Sequence, residues 1–177
     1  ETRNTSMPGA KTRLLFVAAS PEETGKLRPE IEQREVQAGL DAEVELRSIG
    51  AVRAEDLIRH LNQMQPRGLH FSGHAGRVGI CLEDDAGRPE VVSAESLVRL
   101  LEPFRGTLRL VFLNACRTDA LARELAEKAG IPCVVGIRGI IDDPTATGYA
   151  KRFYAALFRR RDPGGPMTVE EAFRELE

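Results

Sequence analysis

The chain has 177 residues, 42% hydrophobic and 29% charged, the mix of one globular domain able to bury about 70% of its unfolded surface without disulfide or metal support. Its net charge of −2, from 25 basic and 27 acidic residues, gives no electrostatic footprint for nucleic acid or an acidic membrane surface. No apolar run approaches the ~18–20 residues of a spanning helix.

Residues 1–11 are polar and carry Pro8 and Gly9, so they read as a linker or remnant ahead of a domain over 12–177. Leu14–Ala18 is a short apolar run suited to a buried parallel strand. After a polar loop at Ser20–Gly25, Pro29 opens a charged helix to about Leu40. Val44–Ile49 reads as a strand, and Arg53–Met64 as a helix with Leu57, Ile58, Leu61 and Met64 on one face. Gly68–Ser72 is the next strand, running into Gly73 and His74. Val78–Leu82 and Glu90–Val92, joined by a turn with Asp84, Asp85 and Gly87, predict a β-hairpin. Ser93 is a suitable N-cap for a helix carrying Leu97, Val98, Leu101 and Phe104.

Leu108–Leu113 is a strongly apolar strand that ends at Asn114-Ala115-Cys116. A helix over Asp119–Ala129 follows, with Gly130 at its C-terminus, then a strand over Pro132–Ile137. Asp143 as N-cap and Pro144 at the first helical position predict a helix to about Arg160. Thr168 and Glu171 have the spacing of a capping box for a last short helix. The alternation predicts an α/β fold with a mostly parallel sheet, helices on both faces and a hairpin insertion.

Ligands of open parallel sheets bind beyond the carboxyl ends of the strands. Two reactive side chains fall there, His74 and Cys116, both among small residues that let a peptide approach closely. A thiolate attacks and an imidazole moves protons at neutral pH, so together they suit nucleophilic catalysis. The helix starting near Asp119 aims its N-terminal dipole at the Cys116 loop, favouring a thiolate. The N–H groups of Cys116 and Ala75 are candidates for an oxyanion hole. Taken singly, a Cys at a strand end is more often a small core residue, and a lone His more often structural. His70 shares strand parity with His74 and is expected to be packed and hydrogen-bonded. His60 is expected to be solvated, and Cys81 and Cys133 to lie in the core. The three cysteines fit neither a disulfide framework nor a zinc site, so no metal or cofactor is expected. With no signal peptide evident, a reducing cytoplasm is the expected compartment.

Leu69-His-Phe-Ser-Gly-His74 followed by Leu110-Val-Phe-Leu-Asn-Ala-Cys116 resembles the CHAT domain, a caspase-like cysteine peptidase family related to separase, gingipain and clostripain. The likeness extends to Leu14–Pro21, Leu82–Gly87, Val92–Ser96, Val135–Asp143 and Phe153–Leu157, in the same order along the chain. Asn114-Ala-Cys-Arg117 is also similar to the caspase Q-A-C-R-G signature. The resemblance implies a caspase-like three-layer sandwich. It implies an endopeptidase in which Cys116 attacks the peptide carbonyl and His74 handles protons. Ala75 stands where the family usually has Gly. For the residue before the cut, Asp142 and Asp143 are candidate partners of a basic side chain, Asp142 being preferred because Asp143 is read as the N-cap, and Arg117 and Arg138 are candidates for an acidic one; the sequence leaves both open.

The expected partners are a protein or peptide substrate and a regulatory or sensor domain. The expected setting is bacterial defence or programmed death, with neither nucleic acid nor membrane as partner. A non-catalytic docking or oligomerisation module is the alternative. A nucleotide-binding reading is disfavoured, because Ala19–Gly25 lacks a glycine-rich phosphate loop.

Overall fold

The computed structural model describes residues 11–22, 24–25, 27–161, 165–166 and 168–174, without the side chains of 160, 161, 165, 166, 170, 173 and 174. The central sheet has five parallel strands: β1 (Thr12–Ala19), β2 (Val44–Ile49), β3 (Gly68–Gly73), β7 (Leu110–Asn114) and β8 (Cys133–Gly136), in the order β2-β1-β3-β7-β8. Six consecutive residues of β1, Leu14 to Ala19, are buried. Such an unbroken apolar run belongs to a strand covered on both faces.

Side-chain alternation divides the core in two. Leu15, Val17, Leu69, Phe71, Val111 and Leu113 join residues of α2 (Ala54–Met64), α3 (Ala94–Leu101) and α4 (Asp119–Glu127). Leu14, Phe16, Leu110, Phe112 and Val135 join residues of α1 (Pro29–Gly39), α5 (Asp143–Leu157) and α6 (Val169–Arg174). The sandwich expected from the sequence is thus present. No described helix is long and apolar enough to cross a membrane.

Several boundaries differ from expectation, each for a local reason. The expected hairpin is a three-stranded antiparallel sheet. Ala75–Gly76 forms a short strand, β4, that pairs with β5 (Gly79–Glu83), which in turn pairs with β6 (Pro89–Ser93). Gly79 is required in it, because a Cβ there would lie 1.9 Å from the Val92 carbonyl oxygen. Strand β7 starts at Leu110, since the Leu108 N–H is spent on the Phe104 carbonyl at 2.8 Å. Helix α4 stops at Glu127, and Gly130 turns the chain at φ +69°. Ile58 is 42% exposed, so the buried stripe of α2 is Leu57, Leu61 and Met64. A two-residue antiparallel pair, β9 (Arg160–Arg161) with β10 (Gly165–Pro166), follows α5. The caps read at Ser93 and Thr168 are present: Ser93 Oγ accepts from Ser96 N–H, and Thr168 and Glu171 exchange bonds.

Candidate active site

Strands β3 and β7 are neighbours, with Ser72 opposite Asn114. Each chain leaves the sheet just beyond that rung, so His74 and Cys116 emerge side by side at the carboxyl edge. Both line one cleft of about 90 Å³, with Leu27, Asn114, Ala115, Ile141 and Asp143 among its walls. Neither is buried in the core; each is partly exposed.

His74 Nε2 lies 2.6 Å from the Gly25 carbonyl oxygen. A carbonyl only accepts, so Nε2 carries the hydrogen. That leaves the Nδ1 lone pair to accept a proton. The loop before α1 therefore fixes both the tautomer and the ring direction, a role that a carboxylate fills in Ser-His-Asp triads.

Cys116 is held by Ile141, whose N–H donates to Sγ at 3.4 Å while the thiol reaches the Ile141 carbonyl at 3.6 Å. The N–H contact is one that a thiolate would strengthen. The following residue, Arg117, is left-handed at φ +55° and donates its N–H to the Gly139 carbonyl at 2.9 Å. Such a backbone costs on the order of 1 kcal/mol and persists only when its surroundings enforce it. Here they do. Thr118 Oγ1 lies 3.1 Å from the Leu113 carbonyl and 3.0 Å from that of Ala115, and it accepts from Ile137 N–H at 2.9 Å. Gly136 permits the approach, because a Cβ there would meet the Thr118 carbonyl oxygen at 2.6 Å.

One candidate oxyanion donor, the Ala75 N–H, can be located from the ladder. Cys81 N–H donates to the His74 carbonyl at 2.9 Å, with Ala75 opposite Ile80. Ala75 therefore sits in a pair that exchanges no ladder bonds, and its N–H points away from β5. Its φ is not positive, so an Ala costs no backbone strain at this position.

Beneath the cleft lies a polar cluster that the sequence reading missed, apart from His70. Glu32 of α1 is 1% exposed. Its carboxylate accepts from His70 Nε2 at 2.6 Å, Ser72 Oγ at 2.7 Å and Asn114 Nδ2 at 2.6 Å. Burial pushes its pKa up, but the charge and hydrogen bond of His70 and the bonds from Ser72 and Asn114 outweigh that and hold it below the ordinary value. Asn114 Nδ2 also donates to the Ala146 carbonyl at 3.1 Å, which leaves its buried Oδ1 without a partner among the described residues. His70 is fully buried, as expected. It stacks between Phe16 and Phe112 with centroids 4.8 and 4.9 Å away, and its Nδ1 meets the Tyr154 hydroxyl at 3.1 Å. The signal for Glu32 was one acidic residue on the buried stripe of α1, between Pro29 and Val36.

Two adjacent aspartates exchange the roles expected of them. Asp142 is the N-cap of α5, taking Thr145 N–H and Thr145 Oγ1 at 2.9 Å each, and these bonds hold its carboxyl below the usual range. Asp143 is the first helical residue and lines the cleft. The capping expectation for Asp143 is thereby corrected: Pro144 occupies the second helical position, one later than expected. Arg117 and Arg138 are exposed, and neither guanidinium pairs with a described residue. His60 is half-buried rather than solvated, and Cys81 and Cys133 are half-buried strand residues rather than full core. Burial pushes the Cys81 thiol up.

The chain is similar to known proteins. The family model described as "CHAT domain" matches residues 4–175. A Roc-COR-CHAT protease from an unknown prokaryotic organism is 31% identical over 121 residues, covering 64% of this chain and 11% of that protein. A probable protease of Vitiosangium sp. (strain GDMCC 1.1324) is 42% identical over 60 residues, covering 29% of this chain and 8% of that protein. The chain spans about a tenth of the length of these curated relatives. At family level this supports a caspase-like peptidase, and the chain belongs to the CHAT domain family.

Proposed function

We propose that this domain is a cysteine endopeptidase with Cys116 as nucleophile and His74 as its proton carrier. The observation that carries the reading is the shared cleft, onto which the thiol and an imidazole of fixed tautomer both open. His74 Nδ1 takes the thiol proton, and the Cys116 thiolate attacks the scissile carbonyl carbon. The carbonyl π pair moves onto oxygen, where the N–H groups of Cys116 and Ala75 receive it. The tetrahedral carbon collapses, the C–N bond breaks, and His74 returns the proton to the leaving amine. Water then attacks the thioester, giving one proton to His74; the carboxylic product leaves and Cys116 regains its proton.

The substrate in this reading is a protein or peptide. Asp142, Arg117 and Arg138 stand outside the cleft walls, whose acidic residues are Asp143 and Glu32. The relatives named as proteases are roughly four to six times longer than this chain, since 121 and 60 matched residues make up 11% and 8% of them. That length suits an effector domain governed by a sensor or recruitment segment of the same polypeptide, as in bacterial defence or programmed death.

Cys116→Ala and His74→Ala are expected each to lower cleavage of a peptide substrate at least about 10³-fold, with unfolding midpoints within ~0.5 kcal/mol of wild type. A peptidyl electrophile should label Cys116 and spare Cys81 and Cys133. Wild-type cleavage by either variant would remove the dyad. A Cys116 that labels no faster than the other two thiols after unfolding would make the domain a docking module instead.

A further inference from the structure

Three backbone segments must meet for the dyad to work. They are the end of β3 carrying His74, the end of β7 carrying Cys116, and the loop whose Gly25 carbonyl orients His74. Each is tied to the same carboxylate. Ser72, two residues before His74, donates to Glu32 Oε2 at 2.7 Å, and Asn114, two residues before Cys116, donates to Glu32 Oε1 at 2.6 Å. Glu32 itself belongs to the helix that this loop enters, seven residues after Gly25. Its third donor, His70, is clamped between Phe16 and Phe112 on the two flanking strands. Glu32 is 1% exposed at the floor of the cleft, so its charge is matched chiefly by these three donors.

Resting on the dyad reading above, we infer that Glu32 is a positioning residue for catalysis, a single buried carboxylate that sets the relative placement of His74, Cys116 and the Gly25 carbonyl. A hydrophobic residue would fill the same space in α1 and pack against the same sheet. Only an acceptor with two oxygens gathers donors from both strand ends at once. An amide replaces it imperfectly: its oxygen can face His70 and Asn114, but the Ser72 bond must turn round, with Ser72 Oγ accepting, and the negative charge that gathers these donors is lost.

The test uses alkylation of Cys116 by iodoacetamide, followed residue by residue across pH 5 to 10. It needs no knowledge of the substrate. Wild-type Cys116 is expected to react at lower pH than Cys81 and Cys133, and His74→Ala to remove that advantage. Glu32→Gln should slow the pH 7 reaction roughly 10- to 100-fold and move its midpoint toward that of a free thiol. Ser72→Ala should move it the same way by less, and it carries the test if Glu32→Gln does not fold. Leu61→Ala, on the opposite face of the sheet, is the control for destabilisation and should leave the midpoint in place. An accelerated wild-type Cys116 whose profile survives both Glu32→Gln and Ser72→Ala would overturn the positioning role and spare the peptidase reading. A wild-type Cys116 that reacts like the other two thiols would overturn the peptidase reading itself and, with it, the inference.

Discussion

The two faces of the central sheet solve the burial problem in different ways. The face under α2, α3 and α4 is lined by aliphatic and phenyl side chains such as Leu57, Leu61, Phe71, Leu97, Leu101 and Leu125. Its stability comes from area removed from water and from close packing, neither of which depends on direction. The face under α1, α5 and α6 carries the same kind of core, but also Glu32, His70, Ser72, Asn114 and the Tyr154 hydroxyl. Hydrogen bonds to a buried charge are directional, so this face holds its strand ends at defined positions as well as together. The lesson is a division of labour: one layer makes the domain stable, and the other makes its carboxyl edge precise.

The largest effect expected from this contrast is on global stability. Leu61→Ala empties a fully buried site in the apolar layer and should cost about 2–5 kcal/mol in denaturant unfolding. The alkylation profile of Cys116 in the folded protein should not change. If that profile moved as far as in Glu32→Gln, the two layers would not be separable.

A smaller effect is expected in acid. The folded pKa of Glu32 lies below its ordinary value of 4.5, so its contribution is fully present above that pH and is lost as the pH falls through the folded value. The titratable groups facing it are His70 and Tyr154, and Asp143 lines the same cleft. Wild-type stability should therefore fall below about pH 4.5, and Glu32→Gln should show a shallower decline. Asp56, held at about 2 by the Arg53 hydrogen bond, contributes an acid slope of the same sign that both proteins keep. Equal slopes in urea titrations at pH 5 and pH 3 would remove Glu32 from the acid response.

The smallest effect tests the edge itself. Because Ala75 is not in the left-handed region, Ala75→Gly should change the cleavage rate by no more than about twofold. A tenfold rise would mean that the methyl group obstructs the oxyanion site.

How much of this was visible beforehand follows from the range of each interaction. Strand β2 and the start of α1 were placed correctly because apolar runs and Pro29 act within a few residues. The Ser93 and Thr168 caps were legible for the same reason. Asp142 and Asp143 were exchanged because either can cap a helix bearing Pro144, and only the path of the loop decides between them. Gly25 gave no signal as a partner of His74, since 49 residues separate donor from acceptor.

Taken alone, the residues determined the alternation of strands and helices and the arrival of His74 and Cys116 at carboxyl ends, because periodicity and chain-ending signals are local. Their likeness to a known family supplied the expected roles. Tertiary structure alone decided that β3 and β7 are neighbours, that the loop before α1 turns its carbonyl to the imidazole, and that one carboxylate on α1 receives donors from both strand ends. Those are contacts between segments far apart in the chain, and only the packed sheet brings them within hydrogen-bond reach.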